Sequence, residues 1–269
     1  PSANAADYDA NIDIRGAMAQ GYVHSWGNNF YGSSLDGSNK LSEVAITGRK
    51  GLAPRLLASG QLMARRAGVG TDGAVQIDYA QLDYQVLSAL DSHAGVRVGR
   101  LKNAYGFFNS SRDVVFSRGS VTLPSSVYYD GTGYRDFFFS TDGIQLYGDH
   151  QFAGSLGEFT LGWARRYDAT EEFRRALVFA DWNGSITVDD FWTAQWLHEW
   201  FDGRLRTGLS YLSVAVDYIN HDTESEIPDI FSETDIYVLS LQWQTERLIL
   251  TTEARYNDAV TRSNGNTSR

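Results

Sequence analysis

The sequence predicts an all-β chain, an antiparallel up-and-down sheet curled into a barrel. Three observations carry this. About eleven segments alternate in side-chain character with a period of two, the signature of half-buried strands. The connections between them run long, short, long, short along the chain. Along most segments one set of alternate positions is apolar and the other polar.

The first strand is expected within Asn11–Trp26 and is followed by the polar loop Gly27–Lys40. The second, Ser42–Arg49, turns through Gly51-Leu52-Ala53-Pro54 into the third, Arg55–Arg66. The glycine-rich AGVGTDG then leads to the fourth, Val75–Leu87. A short turn near Asp91-Ser92 gives the fifth, His93–Leu101, which runs into a long segment ending near Gly143. The sixth strand, IQLYGDHQF, and the seventh, Glu158–Tyr167, meet at a tight Ala153–Gly157 turn. A polar stretch reaches Asp190, and the eighth strand, FWTAQWLHEWF, turns at Asp202-Gly203, a strong hairpin signal. The ninth, Arg204–Tyr218, precedes an acidic loop. The tenth, Ile236–Gln244, and the eleventh, Leu248–Tyr256, are joined by Thr245-Glu246-Arg247.

With every strand connected to its neighbour, tight turns gather at one rim and extended loops at the other. Barrels of bacterial outer membranes have this asymmetry. Leu239, Leu241 and Trp243 oppose Val238, Ser240 and Gln242; Leu248, Leu250 and Tyr256 oppose Glu253 and Arg255. Trp and Tyr fall near strand ends, where aromatic girdles meet the lipid–water boundary. The expected class is therefore a transmembrane β-barrel with a greasy exterior and a wet interior. A soluble β-sandwich or barrel also alternates, yet gives no reason for the loop asymmetry.

Composition narrows the classes. The 269 residues carry a formal charge of −10, with 13% aromatics, 26 Gly and 4 Pro, as suits one large domain of strands and turns. An acidic balance speaks against a nucleic-acid partner. Zero cysteines exclude a disulfide scaffold and thiolate chemistry. No apolar run is long enough for a transmembrane helix, which leaves strands as the means of crossing. Ala3-Asn4-Ala5 matches the A-x-A pattern of a signal-cleavage site.

The segment 102–143 has no sustained period, and a loop of that length in a compact domain is functional or disordered. Its many aromatics argue for order. It is expected to fold against the inside of the barrel.

RVGRLKNAYGFFNSSRDVVFSRGSVTLPSSVYY, followed by STDGIQLYGDHQF, resembles the outer-membrane porins of Gram-negative bacteria. The residues that carry the likeness are Arg97, Gly99, Arg100, Lys102, Asn103, Tyr105, Gly106, Asn109, Arg112, Asp113, Pro124, Ser125, Tyr128, Asp142 and Gly143. It is sharpest over Arg97–Phe152. The resemblance implies a third loop that folds inward and narrows a passive channel for small hydrophilic solutes and ions, and a homotrimer in the full-length form. Such porins close with about sixteen strands or more, so the chain is expected to be cut at its C-terminal side, a natural smaller barrel closed with fewer strands being the alternative. The implied organisation is a tail at 1–9, a barrel domain at 10–258 with the long loop 102–143, and a truncated extracellular loop at 259–269. Outer-membrane lipid and lipopolysaccharide would surround it in the cell outer membrane.

The expected lining and constriction residues are Arg97, Arg112, Asp113, Arg118, Asp130, Arg135, Asp136, Arg166, Arg204, Arg206, Glu253 and Arg255. Guanidinium groups opposite carboxylates set a field across a pore and bias which ions pass. Arginine among aromatics is as often tied into the structure, so at least one of Arg112, Arg118 and Arg135 is expected to be structural. The five histidines stand singly without metal spacing, and no Gly-x-Ser-x-Gly elbow occurs. The expectation is a chain that is not an enzyme, with no cofactor and no metal. A soluble or periplasmic all-β binding module using the aromatic loop as a ligand platform is the alternative.

Overall fold

The computed structural model describes residues 11–29, 34–67, 72–112, 123–124, 126–128, 138–169, 184–221, 228–263 and 266–268. Its strands are β1 (Ile12–Val23), β2 (Ser38–Ala53), β3 (Leu56–Ala67), β4 (Asp72–Ser88), β5 (Ser92–Lys102), β6 (Ser140–Phe152), β7 (Ser155–Ala164), β8 (Tyr167–Asp168), β9 (Gly184–Trp200), β10 (Leu205–Asn220), β11 (Ile230–Gln244), β12 (Ile249–Ser263) and β13 (Asn266–Ser268). Eleven of these are long and coincide with the eleven segments expected from side-chain alternation. β8 and β13 are short additions of two and three residues.

All ladders are antiparallel and each long strand pairs with the next in the chain, an up-and-down meander. Among the described residues no ladder joins β1 to β12 or β13, so these strands are the edges of the sheet. The C-terminal boundary is corrected: β12 continues past 258 to Ser263, and β13 folds back on Thr261–Ser263, where a loop was expected.

Tight turns lie at one rim. In the β9–β10 turn Phe201 and Asp202 take φ of 54° and 55° and Gly203 takes 84°. Left-handed central residues match the right-handed twist of the flanking strands. β9 carries a bulge: Ala215 pairs with Asp190 but Val216 with Val188, which leaves Asp189 as the extra residue.

Register fixes the two faces of the wall. The outer face carries Ile14, Met18, Ile46, Leu62, Ile77, Leu161, Leu239, Leu241 and Leu250, all among the exposed large hydrophobics. Trp200, Leu205, Trp243 and Leu250 form one row across β9 to β12 beside the tight turns. Such a surface requires lipid against it, and it sets aside the soluble-module alternative.

The interior is not uniformly wet. Ile186, Val188, Phe191, Leu212, Val214, Val216, Ile236 and Val238 are buried on the inner face of β9–β11, packed with Tyr105, Val127, Tyr128, Phe138 and Phe139 of the long loop. Each such side chain contributes on the order of 2 kcal/mol when withdrawn from water. This apolar contact, inside the wall, holds the loop. It was not foreseen from the sequence.

Candidate functional site: the lumen and its loop

The chain leaves β5 at Lys102 and turns across the lumen. Asn103 fastens the start: its Nδ2 donates to the Phe138 carbonyl (2.8 Å), and its Oδ1 accepts from Thr141 (2.7 Å). Asn109 Nδ2 reaches the carbonyls of Asn103 and Phe139 at 2.7 and 2.9 Å. These bonds close the base of the loop with two buried amides, which satisfies backbone that no ladder serves.

Further along, the loop meets the far wall. The Phe107 N–H donates to Glu253 Oε1 at 2.8 Å, the Tyr128 hydroxyl to the same oxygen at 2.9 Å, and Ser240 Oγ at 2.7 Å. The Gly106 N–H donates to Ser210 Oγ (3.0 Å), and Gln195 Nε2 donates to the Gly106 carbonyl (2.8 Å). Tyr128 in turn accepts the Phe108 N–H at 3.0 Å. One carboxylate oxygen thus ties two separate stretches of the loop to β11 and β12. Burial and then the Glu253 carboxylate push the Tyr128 hydroxyl far above the ordinary phenol range, so it stays a donor. Gly106 has a φ of +56°, and a Cβ there would collide with the Tyr128 hydroxyl.

Below the loop, toward the tight turns, a cavity of about 920 Å³ remains. Arg97 binds Asp83 at 2.9 Å and lies over the Tyr147 ring at 3.9 Å, while the Tyr147 hydroxyl donates to Asp83 at 2.7 Å. Arg206 binds Glu199 at 2.7 Å and lies 5.0 Å over Phe107. His93 meets Asp149 at 3.0 Å. Glu158 also lines this space, directly across the ladder from Asp149. Acids and bases are therefore paired side by side on the wall of this space, strand to neighbouring strand.

Of the residues singled out from the sequence, Arg97, Arg206, Glu253 and Arg255 lie on the inner face. Arg97 and Arg206 line the cavity, Glu253 anchors the loop, and Arg255 Nε donates to Asn257 at 2.7 Å. Three placements are corrected. Arg112 does not face the lumen: it is 3% exposed and stacks 4.0 Å over Phe139. Arg166 lies beyond the end of β7, exposed and bonded to Asp189 at the β9 bulge (3.0 Å). Arg204 belongs to the exposed turn before β10, where its carbonyl accepts the Gln244 N–H. Asp113, Arg118, Asp130, Arg135 and Asp136 lie outside the described residues. Sequence reasoning missed Asp83, Tyr147, Gln195, Ser210 and Ser240. Their polarity at inward positions was the available signal.

No protein-family model matches the chain, and no curated protein matches it. Among solved structures, it is similar to in-vitro folded OmpT, an outer membrane protein of Vibrio cholerae, in its trimer form. The TM-score is 0.43 and the identity 11%, over 96% of this chain and 80% of that one. Outer-membrane expressed OmpT of the same organism gives 0.37 and 12%, over 97% and 80%. Its loop L8 deletion mutant gives 0.35 and 13%, over 96% and 85%. All three are described as outer membrane proteins. The expectation that the chain is not an enzyme is corrected. A barrel wall does not fix function and missing motifs exclude no chemistry, so an enzymatic activity stays open and the exclusion drawn from them is withdrawn. The apolar exterior and the up-and-down wall make this an outer-membrane β-barrel chain.

Proposed function

We propose that the chain builds the wall and constriction of a porin, a passive diffusion channel for small hydrophilic solutes and ions. The observation that carries this reading is the docking of Phe107 and Tyr128 of the long loop inside the wall through Glu253, above a cavity lined by paired charges. A side chain network of this kind narrows a lumen without filling it. Arg97, Arg206 and Asp83 are the charges proposed to face permeating ions, with Asp113, Arg118, Asp130, Arg135 and Asp136 completing the constriction from the loop. In the full-length form the assembly is proposed to be a homotrimer, with membrane lipid and lipopolysaccharide against its apolar face.

The test is planar-bilayer recording of the full-length protein refolded in detergent. Stepwise conductance is expected, with an ion preference altered by Arg97→Gln. Absence of any conductance from heat-modifiable, folded protein would overturn the proposal.

A further inference from the structure

Three of the tight turns are stitched into one ledge. The Asp202 N–H donates to the Gly154 carbonyl at 3.3 Å, which ties the β9–β10 turn to the β6–β7 turn. The Gln244 N–H donates to the Arg204 carbonyl at 2.8 Å, which ties it to the end of β11. Directly above the ledge runs the lipid-facing row Trp200, Leu205, Trp243 and Leu250. Phe201, Arg204 and Leu248 lie one or two residues beyond that row, within about 7 Å at the rise of a strand. The headgroup layer on each side of a bilayer is about 5–7 Å deep. The ledge therefore sits among headgroups, continuous with the wall that faces lipid.

Phe201 is out of character for its place. A left-handed residue in a tight hairpin turn is ordinarily Asn, Asp or Gly, and a bulky side chain there strains the backbone. Phe201 nonetheless holds a φ of 54° with its ring 67% exposed. Entry of the ring into an apolar boundary layer offsets both the strain and the exposure. Leu248, also exposed, stands on the next turn.

Charge supplies the second observation. The same two turns carry the guanidinium groups of Arg204 and Arg247 and the carboxylates of Asp202 and Glu246. All four residues are exposed, and among the described residues no ion pair joins any of them. None of the four lines the cavity below the loop. Each turn thus offers one base, one acid and one apolar side chain. A zwitterionic headgroup has the matching set: phosphate for the arginine, ammonium for the carboxylate, and acyl chain for the ring.

We infer that Phe201, Asp202, Arg204, Glu246, Arg247 and Leu248 form a binding site for phospholipids whose headgroup carries both a phosphate and a primary ammonium. A quaternary ammonium has no N–H to donate to the carboxylates, and an anionic headgroup has no cation for them. The site rests on the lipid-facing wall and not on the channel reading.

The experiment is native mass spectrometry of the full-length protein, folded in detergent and titrated with phosphatidylethanolamine, phosphatidylcholine or phosphatidylglycerol. Phosphatidylethanolamine is expected to be held roughly tenfold more tightly than phosphatidylcholine, the equivalent of one charge-assisted bond. Asp202→Asn with Glu246→Gln is expected to abolish that preference, and Arg204→Gln with Arg247→Gln to weaken the binding of all three lipids. Phe201→Asn puts an ordinary left-handed residue in the turn. Its heat-modifiable migration is expected to survive to the same or a higher temperature while lipid retention falls several-fold, which separates a lipid contact from a structural role. Soluble glycerophosphoethanolamine at the same concentration is expected not to displace the lipid. Equal retention of phosphatidylethanolamine and phosphatidylcholine, a preference for phosphatidylglycerol, displacement by the soluble headgroup, or variants that retain lipid as the parent does would each overturn the site. Conductance enters none of these readouts, so a failed channel leaves the site standing and a failed site leaves the channel standing.

Discussion

Glu253 of β12 and Phe107 of the long loop, 146 residues apart in sequence, are joined by a 2.8 Å hydrogen bond from the loop backbone to the carboxylate. The same oxygen serves Tyr128 and Ser240. Charge-assisted bonds to a partly buried carboxylate are among the stronger ones a protein makes.

Replacing Glu253 by Ala is expected to loosen the loop by about 2 kcal/mol, since it leaves the Phe107 N–H and two hydroxyls without their acceptor. Limited proteolysis of the folded barrel should then cut within 102–143 faster than in the parent. Glu253→Gln, which keeps an acceptor but no charge, should fall between. Equal cleavage of all three would show that the apolar contacts alone hold the loop.

Gly106→Ala is expected to act on the same junction from the loop side. The new Cβ meets the Tyr128 hydroxyl, and the backbone there has a positive φ. Strain of about 1 kcal/mol from the backbone alone is anticipated, more from the displaced tyrosine. Thermal loss of heat-modifiable migration should come at a lower temperature, and a second change, Tyr128→Phe, should relieve part of it.

Arg112→Ala is expected to lower stability by about 1–2 kcal/mol, through lost stacking on Phe139 and lost burial. Ion preference in bilayer recordings should be unchanged, because the side chain is shielded from the lumen. A shift in reversal potential without a change in stability would reverse this assignment.

Leu212→Ala removes a fully buried side chain from the contact between the wall and the loop. A loss of about 2–5 kcal/mol is expected for such a cavity. Chemical unfolding in detergent measures it; the exposed Leu239→Ala, on the opposite face of the wall, serves as the comparison and should change far less.

The wall was legible in the sequence because a lipid-facing strand must alternate. Leu239 and Leu241 against Val238 and Ser240 fixed the faces of β11 without any knowledge of its neighbours. The seat of the loop was less legible for the same reason. Leu212, Val214 and Val216 break the alternation, because lipid lies on one side of β10 and loop aromatics on the other, and a strand dry on both faces reads as a continuous apolar run. Arg166 and Arg204 were misplaced by strand ends: two residues past β7 and one before β10 suffice to take a side chain out of the wall. The burial of Arg112 depends on Phe139, a neighbour that only the folded loop provides.

The bond between Phe107 and Glu253 also orders events in time. Its two ends cannot meet until β6 to β12 have been laid side by side, and contacts between such distant parts of a chain form slowly. Until then the inner surface of β9–β11 is a bare, sticky strip, open to any passing apolar segment. The half-assembled wall therefore carries an apolar strip that is covered only when the loop docks. A kinetic experiment makes the point visible: after refolding begins, protease resistance of 102–143 should appear only after the strand signal in circular dichroism is complete.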